Sequence, residues 1–268
     1  MRNKIFELEG KVAIVTGGGS GLGRVFCEAL AEFGANISIV DINEKGAKET
    51  AELVENFKKE ALVIKADVSN PEDVKRAIDE TLRKFGRIDI LINNAGINAQ
   101  PAPIAEIPIE DWDRVLAVNL KGVFLCTRAV LPVMVKQKKG NIINIASILG
   151  IRALFELSEI MPMVHYSVSK AGVIILTKQT AIEYAKDGIR ANCIAPGWFR
   201  GTKLSAHWKE KLWREEQQKK YENTIKRITP LGRRGELEEL KGLIIFLASD
   251  ASSYITGQVI IIDGGICV

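Results

Sequence analysis

The sequence predicts a doubly wound α/β domain, a parallel sheet covered by helices on both faces. Three observations lead there. Short β-branched runs alternate with helical patterns along most of the chain, the first run ends in a cluster of glycines, and no stretch reads as a linker or a solenoid-length repeat. Strand–helix alternation builds parallel sheets, because a parallel pair needs a long crossover connection.

Seven runs read as strands: 12–16, 36–40, 61–66, 88–92, 141–145, 190–194 and 258–262. They are nearly continuous in apolar residues, the pattern of strands buried on both faces. Helical periodicity fills 21–33, 43–58, 71–85, 110–137, 164–186 and 235–248. Pro71, Glu72 and Asp73 suit a first helical turn, with Ser69 or Asn70 as the cap. Residues 200–229 break the rhythm: polar, charged and aromatic, with no strand, they read as a helical lid after the sixth strand.

Composition narrows the class. The 268 residues are 47% hydrophobic and 26% charged, ordinary values for a single globular domain of this type. The net charge is +4, with basic residues interspersed among acidic ones, which argues against a nucleic-acid partner. Cys27, Cys126, Cys193 and Cys267 are scattered without C-x-x-C spacing, so they read as reduced thiols. With only His165 and His207, a zinc chemistry is not expected, and no metal site is assigned. The run from Val12 to Val15 is too short for a signal peptide, and no run approaches the ~20 apolar residues that span a bilayer. The expectation is a cytoplasmic protein without a membrane partner.

The first strand runs into Thr16-Gly17-Gly18-Gly19-Ser20-Gly21-Leu22-Gly23 and then a helix. Glycines let backbone amides approach a pyrophosphate, and a helix N-terminus adds partial positive charge. The spacing is G-x-x-x-G-x-G, not the usual G-x-G-x-x-G. Twenty residues past Gly21, Asp41 closes the second strand. A carboxylate there accepts both ribose hydroxyls of an adenosine and repels a 2′-phosphate; alternatively it caps the next helix. Asp67 and Val68 end the third strand and Asn93-Asn94-Ala95-Gly96 the fourth, where a ligand lies in an open α/β sheet, although turn chemistry accounts for them equally well. Tyr166 and Lys170 sit four apart on one helix face. An ammonium beside a phenol favours the phenolate, against a Tyr pKa near ~10.

Together with Asn119, Ser147 and Ala195-Pro196-Gly197, these motifs fall in the order and approximate spacing of the classical short-chain dehydrogenase/reductase family. The resemblance runs from Leu8 to Gly265. It implies a single-domain Rossmann fold and a nicotinamide cofactor, NAD in view of Asp41. The implied catalytic residues are Asn119, Ser147, Tyr166 and Lys170: Tyr166 as general acid/base, Lys170 lowering its pKa and holding the nicotinamide ribose, Ser147 on the substrate oxygen, Asn119 holding a water of the proton relay. Cofactor contacts fall to Gly17, Ser20, Gly21, Leu22, Gly23, Asp41, Asp67, Val68, Asn94, Ala95, Gly96, Tyr166, Lys170, Pro196, Gly197, Phe199 and Thr202.

The chain departs from the family pattern twice. Thr202 lies one residue later than the family pattern places its threonine, with Gly201 as the extra residue. The Ser147–Tyr166 interval is nineteen residues, longer than the family's usual one. The extra segment, about 152–163, is expected to bulge at the substrate mouth and pack on lid residues Trp198, Phe199, Trp208 and Trp213, with Glu156 or Glu159 facing substrate. His165 either touches substrate or is packed away. The overall sequence resembles members acting on sugar acids, polyols or small hydroxy compounds, such as gluconate 5-dehydrogenases. A 3-oxoacyl-carrier-protein reductase is the runner-up, and a non-catalytic NAD-binding scaffold the alternative of another class. Relatives pair helices 110–137 and 164–186 across a twofold axis, so a homotetramer is expected, with Val115, Val118, Val123, Val173, Leu176 and Ala181 as interface candidates.

Overall fold

The computed structural model describes residues 4–158, 161–202, 204 and 214–268. Seven strands form one sheet: β1 Val12–Thr16, β2 Asn36–Asp41, β3 Ala61–Lys65, β4 Ile90–Asn93, β5 Gly140–Ile145, β6 Ile189–Pro196 and β7 Val259–Ile262. All pairs are parallel, in the order β3-β2-β1-β4-β5-β6-β7. This is a Rossmann-type α/β domain. The strand order reverses between β1 and β4, which opens a crevice beyond their carboxyl ends.

Helices α1 Gly21–Glu32, α2 Glu44–Glu55, α3 Pro71–Phe85, α4 Ile109–Leu116, α5 Gly122–Gln137, α6 Phe155–Ser158, α7 Val164–Tyr184, α8 Glu215–Ile228 and α9 Lys241–Ala248 follow in chain order. One sheet face buries Val15, Ile39 and Ile92 against Phe26, Leu30 and Ile244. The other buries Ile14, Leu91 and Ile142 among Ile78, Leu125 and Met134. Every residue of β1 and β4 is buried, which explains their uninterrupted apolar sequence. Of the two cap candidates for α3, Asn70 does the work, accepting from Glu72 N–H at 2.9 Å ahead of Pro71.

Two sequence expectations are corrected here. Helices α4 and α5 join through a π turn, Ala117–Lys121, into one helix from Ile109 to Gln137. Its 29 residues are long and apolar enough to cross a membrane by length and composition. Its apolar side instead packs on the sheet, through Val130 and Met134. Of the interface candidates, Val115, Val123, Val173 and Ala181 are buried within the protomer, and Val118 and Leu176 are partly so. The large apolar residues that α5 and α7 do leave outside are Phe124, Val168, Ile175 and Ile182, at 46%, 41%, 64% and 76% exposure.

The segment between Ser147 and Tyr166 folds back as α6 and joins a separate apolar cluster. Leu154, Leu157, Met161 and Met163 pack there with Tyr166, and with Tyr221 and Ile225 of α8; Trp198 and Leu204 border it. Phe199 belongs to the main core instead, and Phe155 is 83% exposed. Glu159, Ile160, His207, Trp208 and Trp213 lie outside the described residues.

Candidate active site

A cavity of about 640 Å³ follows the carboxyl ends of the strands, from Asp41 and Asp67 at one end to Trp198 and Tyr221 at the other. The glycine turn forms its floor. Gly17 and Gly21 take φ of 65° and 53°, a conformation that glycine adopts without strain. A side chain on Gly17 would place its Cβ 2.8 Å from Ala95 Cα, and one on Gly23 would strike the Gly17 carbonyl oxygen at 2.1 Å. Gly23 therefore packs beneath the turn, off the lining of the cavity. Ser20 precedes α1 in an extended conformation and makes no capping bond with its side chain. Ser20, Gly21 and Leu22 all line the cavity.

Neighbouring side chains hold the turn in shape. Asn94 Nδ2 donates to the carbonyls of Thr16 and Gly17 at 2.9 and 3.1 Å, while Thr16 Oγ1 accepts from the N–H groups of Asn94 and Ala95. Asp41 Oδ2 accepts from Gly19 N–H at 2.8 Å, and its Oδ1 accepts from Asn43 N–H at 2.8 Å. The carboxylate thus supports the turn and the entry to α2 while lining the cavity; Asn43 is the α2 cap. Arg24 was not foreseen. Its guanidinium donates to the Gly19 and Gly46 carbonyls, Thr50 and Glu49, tying the turn to α2.

Beyond β3, Asp67 and Val68 line the cavity, and Asp67 Oδ1 accepts from Ser69 N–H and Oγ. Ala95 and Gly96 continue the wall. After β6, Pro196, Gly197, Phe199 and Thr202 complete it. Phe199 bridges Gly235 through bonds from Gly235 N–H to the Trp198 carbonyl and from Arg200 N–H to the Gly235 carbonyl. That pattern directs the Phe199 N–H and C=O to the opposite side. Gly201 O and Thr202 Cα come within 4 Å of where a Gly21 Cβ would stand, so the late threonine still reaches the turn.

At the middle of the cavity, Ser147 follows two residues after β5 and α7 presents Tyr166 and Lys170. Ser147 stands beside the Tyr166 hydroxyl, near enough to act on its pKa. Lys170 Nζ donates to the Ile145 carbonyl at 2.7 Å and lies 5.7 Å from the Tyr166 ring centroid. Burial pushes the Tyr166 phenol up to about 12, with the Ser147 contact acting the other way, and the same burial brings Lys170 down to about 8. The lowering of the Tyr166 pKa expected from Lys170 is not what sets the direction of the shift, which burial of the phenol dominates.

Asn119 sits in the π turn, fully buried and off the cavity wall. Its Oδ1 accepts from Ile97 N–H at 2.8 Å, and its Nδ2 donates to the Ile97 carbonyl and to Ser169 Oγ. A Cβ on Gly96 would stand 3.4 Å from Asn119 Oδ1 and 3.6 Å from Lys170 Nζ, so the missing side chain leaves a gap between the two. His165 is fully buried beside Ala99 and away from the cavity lining. Glu156 lines a different, smaller cavity with Arg152 and Arg227, so it does not face the main one.

The cradle fits a dinucleotide: a glycine turn at a helix N-terminus, a carboxylate at the end of β2, and a backbone edge at Phe199, all on one cavity. Comparisons with known proteins agree. The family described as enoyl-(acyl carrier protein) reductase matches residues 17–267. A 3-oxoacyl-(acyl-carrier-protein) reductase of Thermotoga maritima is 40% identical over 262 residues, 98% of this chain and 100% of that protein. The chain belongs to the short-chain dehydrogenase/reductase family. Among solved structures, a short-chain dehydrogenase/reductase from Mycobacterium marinum aligns at TM-score 0.89 and 36% identity, covering 98% of both chains. A gluconate 5-dehydrogenase from Burkholderia cenocepacia, solved with NADP and tartrate, aligns at 0.87 and 37%, covering 98% of this chain and 97% of that one. As a short-chain dehydrogenase/reductase, the protein takes a nicotinamide cofactor and acts on a small molecule.

Two more residues of this short-chain dehydrogenase/reductase went unforeseen, Tyr221 and Arg234, both on the cavity wall. Tyr221 lies on the buried face of α8, a signal present in the sequence. Arg234 is one of two adjacent arginines after a turn, and nothing in its sequence context separates it from Arg233, which pairs outside with Glu239.

Proposed function

We propose that the protein interconverts a secondary alcohol and a ketone with NAD(H), on a sugar acid, a polyol or a small hydroxy compound. The supporting observation is the Ser147–Tyr166 contact on the wall of the same cavity that holds Asp41. In reduction, Ser147 orients the carbonyl oxygen and stabilises its developing charge, and Tyr166 delivers the proton to it. In oxidation, Tyr166 takes the hydroxyl proton. The cofactor, when bound, gives or receives the hydride. Lys170 holds positive charge beside the phenol and reaches the nicotinamide ribose. Asn119 fixes the Ile97 backbone and borders the gap at Gly96, where a water of the relay fits.

Asp41 supports NAD over NADP, since its carboxylate would meet a 2′-phosphate with like charge. The test is a screen of polyols, sugar acids, secondary alcohols and ketones with both cofactors; absence of any Tyr166-dependent turnover rejects the reading. A second reading, 3-oxoacyl-carrier-protein reduction, is favoured by the name of the Thermotoga relative. Those enzymes commonly carry an arginine where this chain has Gly21, and acetoacetyl-carrier protein with NADPH distinguishes the two. A non-catalytic scaffold is disfavoured by the complete set of reacting side chains. The free cysteines fit the cytoplasm. The exposed Phe124, Ile175 and Ile182 on α5 and α7 support a homotetramer, which light scattering tests directly; a monomer at micromolar concentration rejects it.

A further inference from the structure

The substrate end of the cavity carries a charge that the proposed hydride transfer does not use. Its walls there are mainly apolar: Ile148, Leu149, Met161, Met163 and Leu204. Among the described residues, three cations touch the cavity. Lys170 is held to the Ile145 carbonyl, and Arg114, 55% exposed, pairs with Asp111 on the surface. Arg234 is different, with a side chain only 16% exposed.

Its guanidinium is oriented and incompletely paired. Nη2 donates to Glu222 Oε1 at 2.6 Å, the Cζ stands 5.0 Å from the Tyr221 ring centroid, and Nε is buried with no acceptor. Stacking and the Glu222 tether fix the fork, so little freedom is lost when a ligand binds it. Arg234 and Trp198 both reach the Tyr221 hydroxyl. A guanidinium and an indole only donate hydrogen bonds, so this corner is rich in N–H groups. Glu222 is half exposed and lies off the cavity lining, and the described residues of the substrate end contribute no carboxylate. A planar anion is the acceptor that such a corner suits.

Tyr166 and Tyr221 belong to one apolar cluster with Met161 and Met163, so Arg234 faces the reacting groups across that cluster. The geometry points to a substrate that bears a carboxylate, a compact hydroxy acid or its oxo counterpart, with Arg234 as the residue that binds its anionic end. This rests on the oxidoreductase reading and narrows its substrate class. Ser147 and Tyr166 fix the carbon–oxygen group that reacts, Arg234 fixes the carboxylate that does not, and the apolar wall between them excludes water.

The experiment measures binding, apart from turnover. The enzyme–NADH complex is titrated with a panel of short hydroxy acids and with their neutral amides, followed by tryptophan fluorescence, to which Trp198 contributes. The best acid is expected to bind at least about tenfold tighter than its amide. Arg234→Gln should remove that preference, and Arg234→Lys should restore part of it, with NADH affinity unchanged in both. Amides binding as well as acids in the wild type overturns the inference, as does an undiminished preference in a folded Arg234→Gln protein. If Arg234→Gln fails to fold, the wild-type ratio and Arg234→Lys decide. Loss of carbonyl reduction in Tyr166→Phe is scored separately, so failure of the oxidoreductase reading is not confused with failure of this one.

Discussion

Lys170 Nζ lies 5.7 Å from the centre of the Tyr166 ring while donating to the Ile145 carbonyl at 2.7 Å. The last residue of β5 thus aims the lysine, and the lysine places its charge beside the phenol without bonding to it. Tyr166 is then free to bond Ser147 and a substrate oxygen. Replacing Tyr166 with Phe removes the proton donor and leaves the ring in its apolar cluster. Turnover is expected to fall by about 10²–10⁴-fold, the usual range for a lost general acid/base. NADH affinity, read by fluorescence titration, should change little.

The two burial effects set the pH profiles. A phenol pushed up to about 12 is protonated at neutral pH, ready to donate in reduction and unready to accept in oxidation. An ammonium brought down to about 8 loses its charge as pH rises through that value. Carbonyl reduction should therefore be level through neutral pH and decline above about 8. Oxidation needs the phenolate, so its optimum should lie at higher pH than that of reduction. Rate profiles in both directions check this, and coincident optima contradict it.

Asp41 sets the cofactor preference. The wild type is expected to use NAD in preference to NADP. Asp41→Ala removes the like charge, along with the acceptor for Gly19 and Asn43 N–H. The ratio of kcat/KM for NAD over NADP should drop by at least about tenfold, or ~1.4 kcal/mol. Activity with NAD should fall too, because the turn loses its brace. A strong NADP preference in the wild type would remove the assignment.

The α6 segment is anchored by Leu157, 3% exposed in the cluster with Tyr221 and Met161. Leu157→Ala leaves a cavity and is expected to cost about 2–5 kcal/mol where the site cannot collapse. Because that cluster borders the substrate end, KM for substrate should rise more than KM for the cofactor. Steady-state kinetics with thermal denaturation tests this; equal effects on both KM values would detach the segment from substrate recognition.

The sheet was legible because β1 and β4 are buried throughout, and burial on both faces writes itself as the nearly continuous apolar runs Val-Ala-Ile-Val and Ile-Leu-Ile. The glycine turn was legible because φ of 65° at Gly17 and the 2.1 Å clearance at Gly23 admit only glycine. Tertiary support was not. Arg24 reaches Thr50 and Gly46 on α2, and Arg234 reaches Glu222 on α8, contacts between distant segments that leave no local pattern. The long helix misled in the other direction: Val115 and Val123, named as interface candidates, pack inside the protomer, while its Phe124 stays exposed.

The π turn at Ala117–Lys121 has a geometric consequence for the whole helix. One extra residue in a turn advances everything after it by about 100° around the axis. Helix α4 can therefore face α7 while α5, on the same axis, faces α3 and the sheet. The turn acts as a phase shifter, and Asn119 stands at the point of the shift. Deleting a single residue there would restore a regular spiral and rotate one half of the helix out of register with its neighbours, carrying the Ile97 backbone bonds away from the reacting groups.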